Sequence, residues 1–177
     1  DAHECVIIPV IAADLHRAIL PRQSQIWAVL RAEDSDRRLI WSMVNGLLGR
    51  LCVSGDVHDL SGHQWEIVDR GIAFYRKCAP VIKEGFSRRQ GIPVMDQNHP
   101  AGWQALVREG EGEAAGLTMA VVHQFEKTSE QIRIRLDREM EITGSYSEDG
   151  IRIRTEGREL VLEGMEALSA AGILLRG

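Results

Sequence analysis

The chain has 177 residues, 44% hydrophobic and 27% charged, and its 21 basic and 26 acidic residues leave a net charge of -5. That is the composition of an ordinary soluble globular chain and gives no sign of disorder. The acidic balance, without a Lys/Arg cluster carrying interleaved aromatics, excludes nucleic acid as an expected partner. No apolar run approaches the ~18 residues of a membrane span, the longest, from Cys5 to Ala13, being broken by Pro9.

The chain opens at Asp1 with no initiator Met, charged leader or apolar secretory segment, so it is expected to be the carboxyl-terminal part of a larger protein. Over residues 4–20, Ile7, Ile11, Leu15 and Ala18/Ile19 recur at helical spacing, and Pro21 stops that helix. QIWAVL (25–30) is short, apolar and bounded by polar residues, as a strand buried on both faces would be. Ser35 or Asp34 can cap the next helix, whose stripe of Leu39, Ile40, Met43, Val44, Leu47 and Leu48 ends near Gly49. A second buried strand follows at 50–53, with Cys52 in it as a small core residue. Ser61 and Gln64 form a capping box for a helix that runs to about Glu84, with Trp65, Val68, Ile72, Tyr75 and Ala79 on one face.

This alternation of strand and helix is that of a segment of a (β/α)8 barrel, in which the carboxyl ends of the strands carry the chemistry. A complete barrel needs roughly 250 residues, so only its last strands and helices are expected here, over residues 1–86. Residues 87–101 mix charge, Gly and Pro without periodicity and are expected to be a linker.

Beyond it the period becomes 2. WQALVR, LTMAVVH, QIRIRL, GIRIR, ELVLEG and ILL predict short antiparallel strands in a small β-sandwich over residues 102–177. Ile132, Ile134 and Leu136 are expected to face inward while Arg133 and Arg135 face water, and Ile151/Ile153 against Arg152/Arg154 repeat the pattern. The sandwich has no exposed aromatic row, which favours a structural role over carbohydrate binding. The fold class is therefore α/β plus all-β. Trp41, Trp65 and Trp103 fall on core stripes.

Cys5, Cys52 and Cys78 are too few and too widely spaced for a disulfide framework and suit free thiols in a reducing, cytoplasmic compartment. No Cys/His grouping has metal-ligand spacing, so neither metal nor cofactor is expected.

The run PRQSQIWAVLRAEDSDRRLIWSMVNGLLGRLCVSGDVHDLSGHQWEIVDRGIAFYRK, followed by HPAGWQALVREG and VVHQFE, resembles the carboxyl-terminal third of family 36 glycoside hydrolases, the bacterial alpha-galactosidases or melibiases. Its most telling parts are NGLLGRLCVSGD, LSGHQWEIVDRGIAFY and the GWQ that opens the sandwich. The resemblance implies a retaining enzyme acting on terminal alpha-linked galactose of oligosaccharides, with two carboxyl groups. The nucleophile, on barrel strand four, would lie outside this chain. The acid/base, in a Ser-Asp pair before helix six, would be Asp1. Read from the residues alone, Asp1 is a helix cap rather than a catalytic group, and it is the resemblance that makes it the acid/base candidate.

Trp27 is either core or a platform for the apolar face of a sugar. Arg31 either hydrogen-bonds sugar hydroxyls or pairs with Glu33 or Asp34. Ser54, Gly55 and Asp56 follow the second strand: Gly55 permits close approach, and Asp56 either accepts hydrogen bonds from adjacent hydroxyls or is a turn residue. His58 and Asp59 are lesser candidates. A noncatalytic carbohydrate-binding or interaction module carried by the sandwich is the alternative function, and a homo-oligomer stays open.

Overall fold

The computed structural model describes residues 6–91, 100–126 and 129–177. Asp1 and Cys5 lie outside the described residues. The first helix, α1, is Ile8–Leu15, shorter than the expected 4–20, and residues beyond it close as turns, with Arg17 and Ala18 donating to Asp14 and Leu15 carbonyls. Leu20 is extended, as a residue before proline must be, and Pro21 begins a short 3-10 turn.

Strand β1 (Gln25–Leu30) pairs in parallel with β2 (Arg50–Gly55), and α2 (Asp36–Gly46) crosses between them. Ser35 caps α2 by accepting the Arg38 N–H. The Ser61–Gln64 capping box opens α3 (Gly62–Glu84), as expected. No closed barrel is present among the described residues, whose parallel sheet has two strands.

Several expectations are corrected here. β1 is buried on one face only: Ile26, Ala28 and Leu30 face the helices, while Gln25 and Trp27 are exposed. Cys52 is half-buried rather than core, and the Gln25 amide donates to its sulfur. The core face of α3 is Gln64, Ile67, Val68, Gly71, Phe74, Cys78, Val81 and Ile82, a rotation from the expected stripe that leaves Trp65 37% exposed. Trp41 is 2% exposed, with its ring edge-on to His123 and Phe125. Truncating such a side chain to Ala costs about 3–5 kcal/mol.

Residues 87–91, expected to be linker, belong to strand β3 (Gly85–Gly91), which pairs antiparallel with β4 (Trp103–Gly110). The polar sequence of β3 gives no strand pattern because it is an edge strand whose ladder partner comes from β4. β4 pairs with β5 (Leu117–Gln124), β5 with β10 (Ser169–Arg176), and β10 with β7 (Glu141–Ser147), making a five-stranded antiparallel sheet in the order β3-β4-β5-β10-β7. β7 is a second strand the period-2 pattern does not pick out. A three-stranded antiparallel sheet, β6 (Gln131–Arg135), β9 (Glu159–Glu163) and β8 (Arg152–Glu156), completes the sandwich.

Alternation in β4 and β5 places two cores on opposite faces of the large sheet. Ala105, Val107, Ala120 and Val122 meet Ile132, Ile134, Leu160 and Leu162 of the small sheet. Leu106, Met119 and Val121 join the helices in the other core, which runs unbroken from Val10 through Leu48 and Val68 to Tyr146 and Leu174. The sandwich and the strand-helix unit are thus welded by apolar burial, the dominant favourable term in folding. On the outer face of the small sheet Arg133 pairs with Glu156 and Glu159, and Arg154 with Glu156 and Glu163.

Candidate functional site

The face of β1 and β2 turned away from the helices carries Gln25, Trp27, Val29, Cys52 and Ser54 in register, Trp27 beside Cys52 and Val29 beside Ser54. Trp27 is 51% exposed, so its indole is a platform rather than core. Ser54 is half-buried.

At the carboxyl end of this face Arg31 and Asp56 meet, Nη1 to Oδ1 at 3.1 Å, with both side chains about one third exposed. Asp56 follows a sharp bend. Gly55 has φ 100°, and a Cβ there would run into the backbone of Leu30, whose carbonyl accepts the Asp56 N–H at 2.8 Å. Gly55 therefore allows the close approach of β2 to β1 and aims Asp56.

The loop that presents Arg31 is clamped from two sides. Asp34 Oδ2 accepts the Arg31 backbone N–H at 2.8 Å, and its other oxygen lies 3.8 Å from Arg38. Gln64, 8% exposed, donates its side-chain amide to the carbonyls of Ala32 at 3.0 Å and Asp34 at 3.1 Å while its oxygen accepts the Ser61 N–H. In the sequence Asp34 was legible as a cap candidate or a partner of Arg31, and Gln64 only as part of a capping box. The amide of a capping-box Gln has donors to spare, but where they go depends on which loop folds over it.

His63 and Asp36 join the first turns of α3 and α2 at 2.8 Å, and that hydrogen bond with the Asp36 carboxylate holds the imidazole above its ordinary pKa. His58 and Asp59 sit on the exposed turn Val57–Asp59 and pair with each other at 3.2 Å. The arrangement places a guanidinium, a carboxylate and a hydroxyl at one end of two parallel strands, with an indole further back on the same face of β1. These groups can stack on an apolar ring face and exchange hydrogen bonds with hydroxyls. Asp1, the candidate acid/base, lies outside the described residues. No group of three or more His, Cys, Asp or Glu placed to hold a metal ion occurs among the described residues, and no described helix is long and apolar enough to cross a membrane.

The sequence matches no family model and no curated protein. Among solved structures, the galactosidase domain of alpha-galactosidase-sucrose kinase, AgaSK, matches 86% of this chain at 14% identity with a TM-score of 0.55, and the chain spans 21% of that chain. An alpha-amylase from H. orenii and the isomaltulose synthase SmuA from Protaminobacter rubrum match 64% and 73% of this chain, 20% and 22% of their own, at 12% identity. Both have TM-scores of 0.35, too low to establish a common fold. The chain thus shares its fold with one part of a glycoside hydrolase, within a galactosidase domain.

Proposed function

We propose that this chain is the carboxyl-terminal part of a retaining alpha-galactosidase, comprising the last strands and helices of its (β/α)8 barrel and the sandwich that follows. The observation that carries the reading is the Arg31–Asp56 pair at the carboxyl ends of two parallel strands, with Trp27 exposed further back along β1. Such strand ends are where barrel enzymes hold substrate. The shared fold with part of a galactosidase domain supports the same reading.

In this mechanism a carboxylate outside the chain attacks the anomeric carbon while Asp1 protonates the leaving glycosidic oxygen. Asp1 then takes a proton from water as that water displaces the enzyme carboxylate, restoring both groups and retaining the configuration. Trp27 stacks on the galactose ring. Arg31 gives one N–H to Asp56 and donates others to substrate hydroxyls, and Asp56 accepts hydroxyl hydrogens at its second oxygen.

The test is hydrolysis of a nitrophenyl alpha-galactoside by the complete encoded protein, with the product anomer followed by NMR. The reading requires alpha-galactose to appear first, an Asp1→Asn variant of greatly lowered kcat, and no turnover by residues 1–177 alone. Turnover by this chain alone, or first release of the beta anomer, overturns it. The encoded sequence before residue 1 is also expected to carry a Lys-X-Asp strand and a Ser immediately preceding Asp1.

The sandwich as a carbohydrate-binding module draws less support. The outward arginines of its small sheet, Arg133, Arg152 and Arg154, are paired with glutamates, and no aromatic platform lies among them.

A further inference from the structure

Helix α1 is lightly attached. It gives the core only Pro9, Val10, Ala12 and Ala13, while Ile11 and Leu15 on its outer side are each 40% exposed. Polar ties hold it to the large sheet at both ends. Near its start the Gln104 side-chain amide donates to the Pro9 carbonyl at 2.9 Å; near its end Asp14 pairs with Arg89 at 3.3 Å, and His16, the residue that caps its carboxyl end, meets Arg108. An element that buries so little apolar surface opens locally at small cost, so those ties decide whether it stays docked.

The His16 contact fixes where its proton sits. Arg108 Nη2 lies 3.3 Å from His16 Nδ1, and a guanidinium only donates, so Nδ1 is bare and the hydrogen is on Nε2, which is buried without a partner among the described residues. A second proton on the ring forfeits this hydrogen bond and sets two cations against each other in a half-buried site. Arg108 cannot move aside. It has no exposed surface, and it donates to the Leu48 carbonyl at 2.8 Å, the Leu47 carbonyl at 3.5 Å and the Ser87 hydroxyl at 2.8 Å. The surroundings supply little countercharge. Arg108 of β4, Arg89 of β3 and Arg17 of α1 stand about His16 with a single carboxylate, Asp14, already paired with Arg89; α2 contributes the two carbonyls that Arg108 occupies, and α3 the Tyr75 hydroxyl and Cys78 thiol beside Arg108. The partial negative charge at the carboxyl end of α1 offsets this only in part.

We propose that His16 is an acid-sensitive latch whose protonation releases α1 from the sheet while the rest of the fold stays packed. The helix gives way rather than its neighbours because α2, α3, β4 and β5 around Arg108 share a continuous apolar core to which α1 adds little. Burial, and after it the Arg108 charge, lowers the docked His16 to about 4 against 6.5 when released. Docking is therefore fully favoured above 6.5, and each pH unit below that lowers the ratio of docked to released helix about tenfold until about 4. Asp1 precedes α1 in the sequence, so under the hydrolytic reading release also withdraws the acid/base candidate, but the latch itself does not rest on that reading.

The test is NMR of the 177-residue chain from neutral pH down to about 4. At neutral pH the His16 imidazole is expected as the Nε2–H tautomer. On acidification the amides of residues 8–16 are expected to pass to a second state with a midpoint between 4 and 6.5, before those of β5 and β10 lose their native shifts. His16→Gln, whose amide oxygen still accepts from Arg108 but does not titrate, should abolish that transition or lower its midpoint by about one pH unit or more. An Nδ1–H tautomer, an α1 that keeps its native shifts throughout or loses them only together with β5 and β10, or an unshifted transition in His16→Gln overturns the proposal. Failure of the complete protein to hydrolyse galactosides would leave the transition unaffected and would count only against the catalytic reading.

Discussion

Arg31 and Asp56, 25 residues apart in sequence, meet at 3.1 Å because parallel pairing sets Leu30 beside Gly55 and the chain leaves both strands at the same level. The pair is about one third exposed, a position where ion pairs contribute at most about 1 kcal/mol to stability. Arg31→Ala and Asp56→Asn are therefore expected to shift the urea midpoint little, yet to lower kcat/KM of the complete protein on a nitrophenyl alpha-galactoside at least about a hundredfold, given charged hydrogen bonds worth about 1.5–3 kcal/mol each. A clearly lowered urea midpoint in either variant, with kcat/KM of the folded protein unchanged, would assign the pair a structural role instead.

Gly55→Ala should be among the more damaging single-methyl additions in the protein. Its φ of 100° disfavours any side chain, and the new methyl group would meet the Leu30 backbone. A loss of at least about 2 kcal/mol is expected in denaturant titration, from strain and the forced separation of β1 and β2.

Stability should fall with acidity through two buried histidines. Burial lowers His123 to about 3 and, with the nearby Arg108 charge, His16 to about 4, against 6.5 in the unfolded chain. Between those values the unfolded state binds more protons, so the stabilisation is fully present above 6.5 and is lost as pH falls below it. His123 alone gives a slope of about 1.4 kcal/mol per pH unit. Urea midpoints at a series of pH values below neutrality check this, and His123→Gln is expected to flatten the slope while costing stability at neutral pH, since the buried 2.9 Å hydrogen bond between the His123 ring and Asn45 is lost.

Arg108 has no exposed surface, and its guanidinium donates to the carbonyl of Leu48 at 2.8 Å, that of Leu47 at 3.5 Å and the Ser87 hydroxyl at 2.8 Å. Burial lowers its pKa to about 10. It closes the carboxyl end of α2 from a strand of the sandwich, so Arg108→Met should cost about 2–3 kcal/mol by leaving buried carbonyls without donors. Arg108→Lys should recover only part, because a single ammonium does not span the same acceptors. Thermal denaturation of both variants measures the difference.

How much the sequence determined follows the range of the interactions. Ser35, the Ser61–Gln64 capping box and the stop at Gly85 are local devices, and they set the start of α2 and both bounds of α3, whereas α2 ends at Gly46 rather than near Gly49. The alternation of Ile132 and Ile134 with arginines likewise placed β6 with its apolar face on the core. What only the tertiary structure decided was non-local. β3 is a strand because β4 lies beside it, although its own residues are polar, and Trp27 is exposed because nothing among the described residues covers that face of β1. Trp65 turns outward because the sheet meets α3 on the face of Ile67, Gly71 and Phe74. The candidate site belongs to the same class. Arg31 and Asp56 were nameable as the polar ends of two apolar runs, but their contact and the Gln64 clamp required strands and helices distant in sequence to be packed together, and local periodicity does not encode which distant surface a side chain will meet.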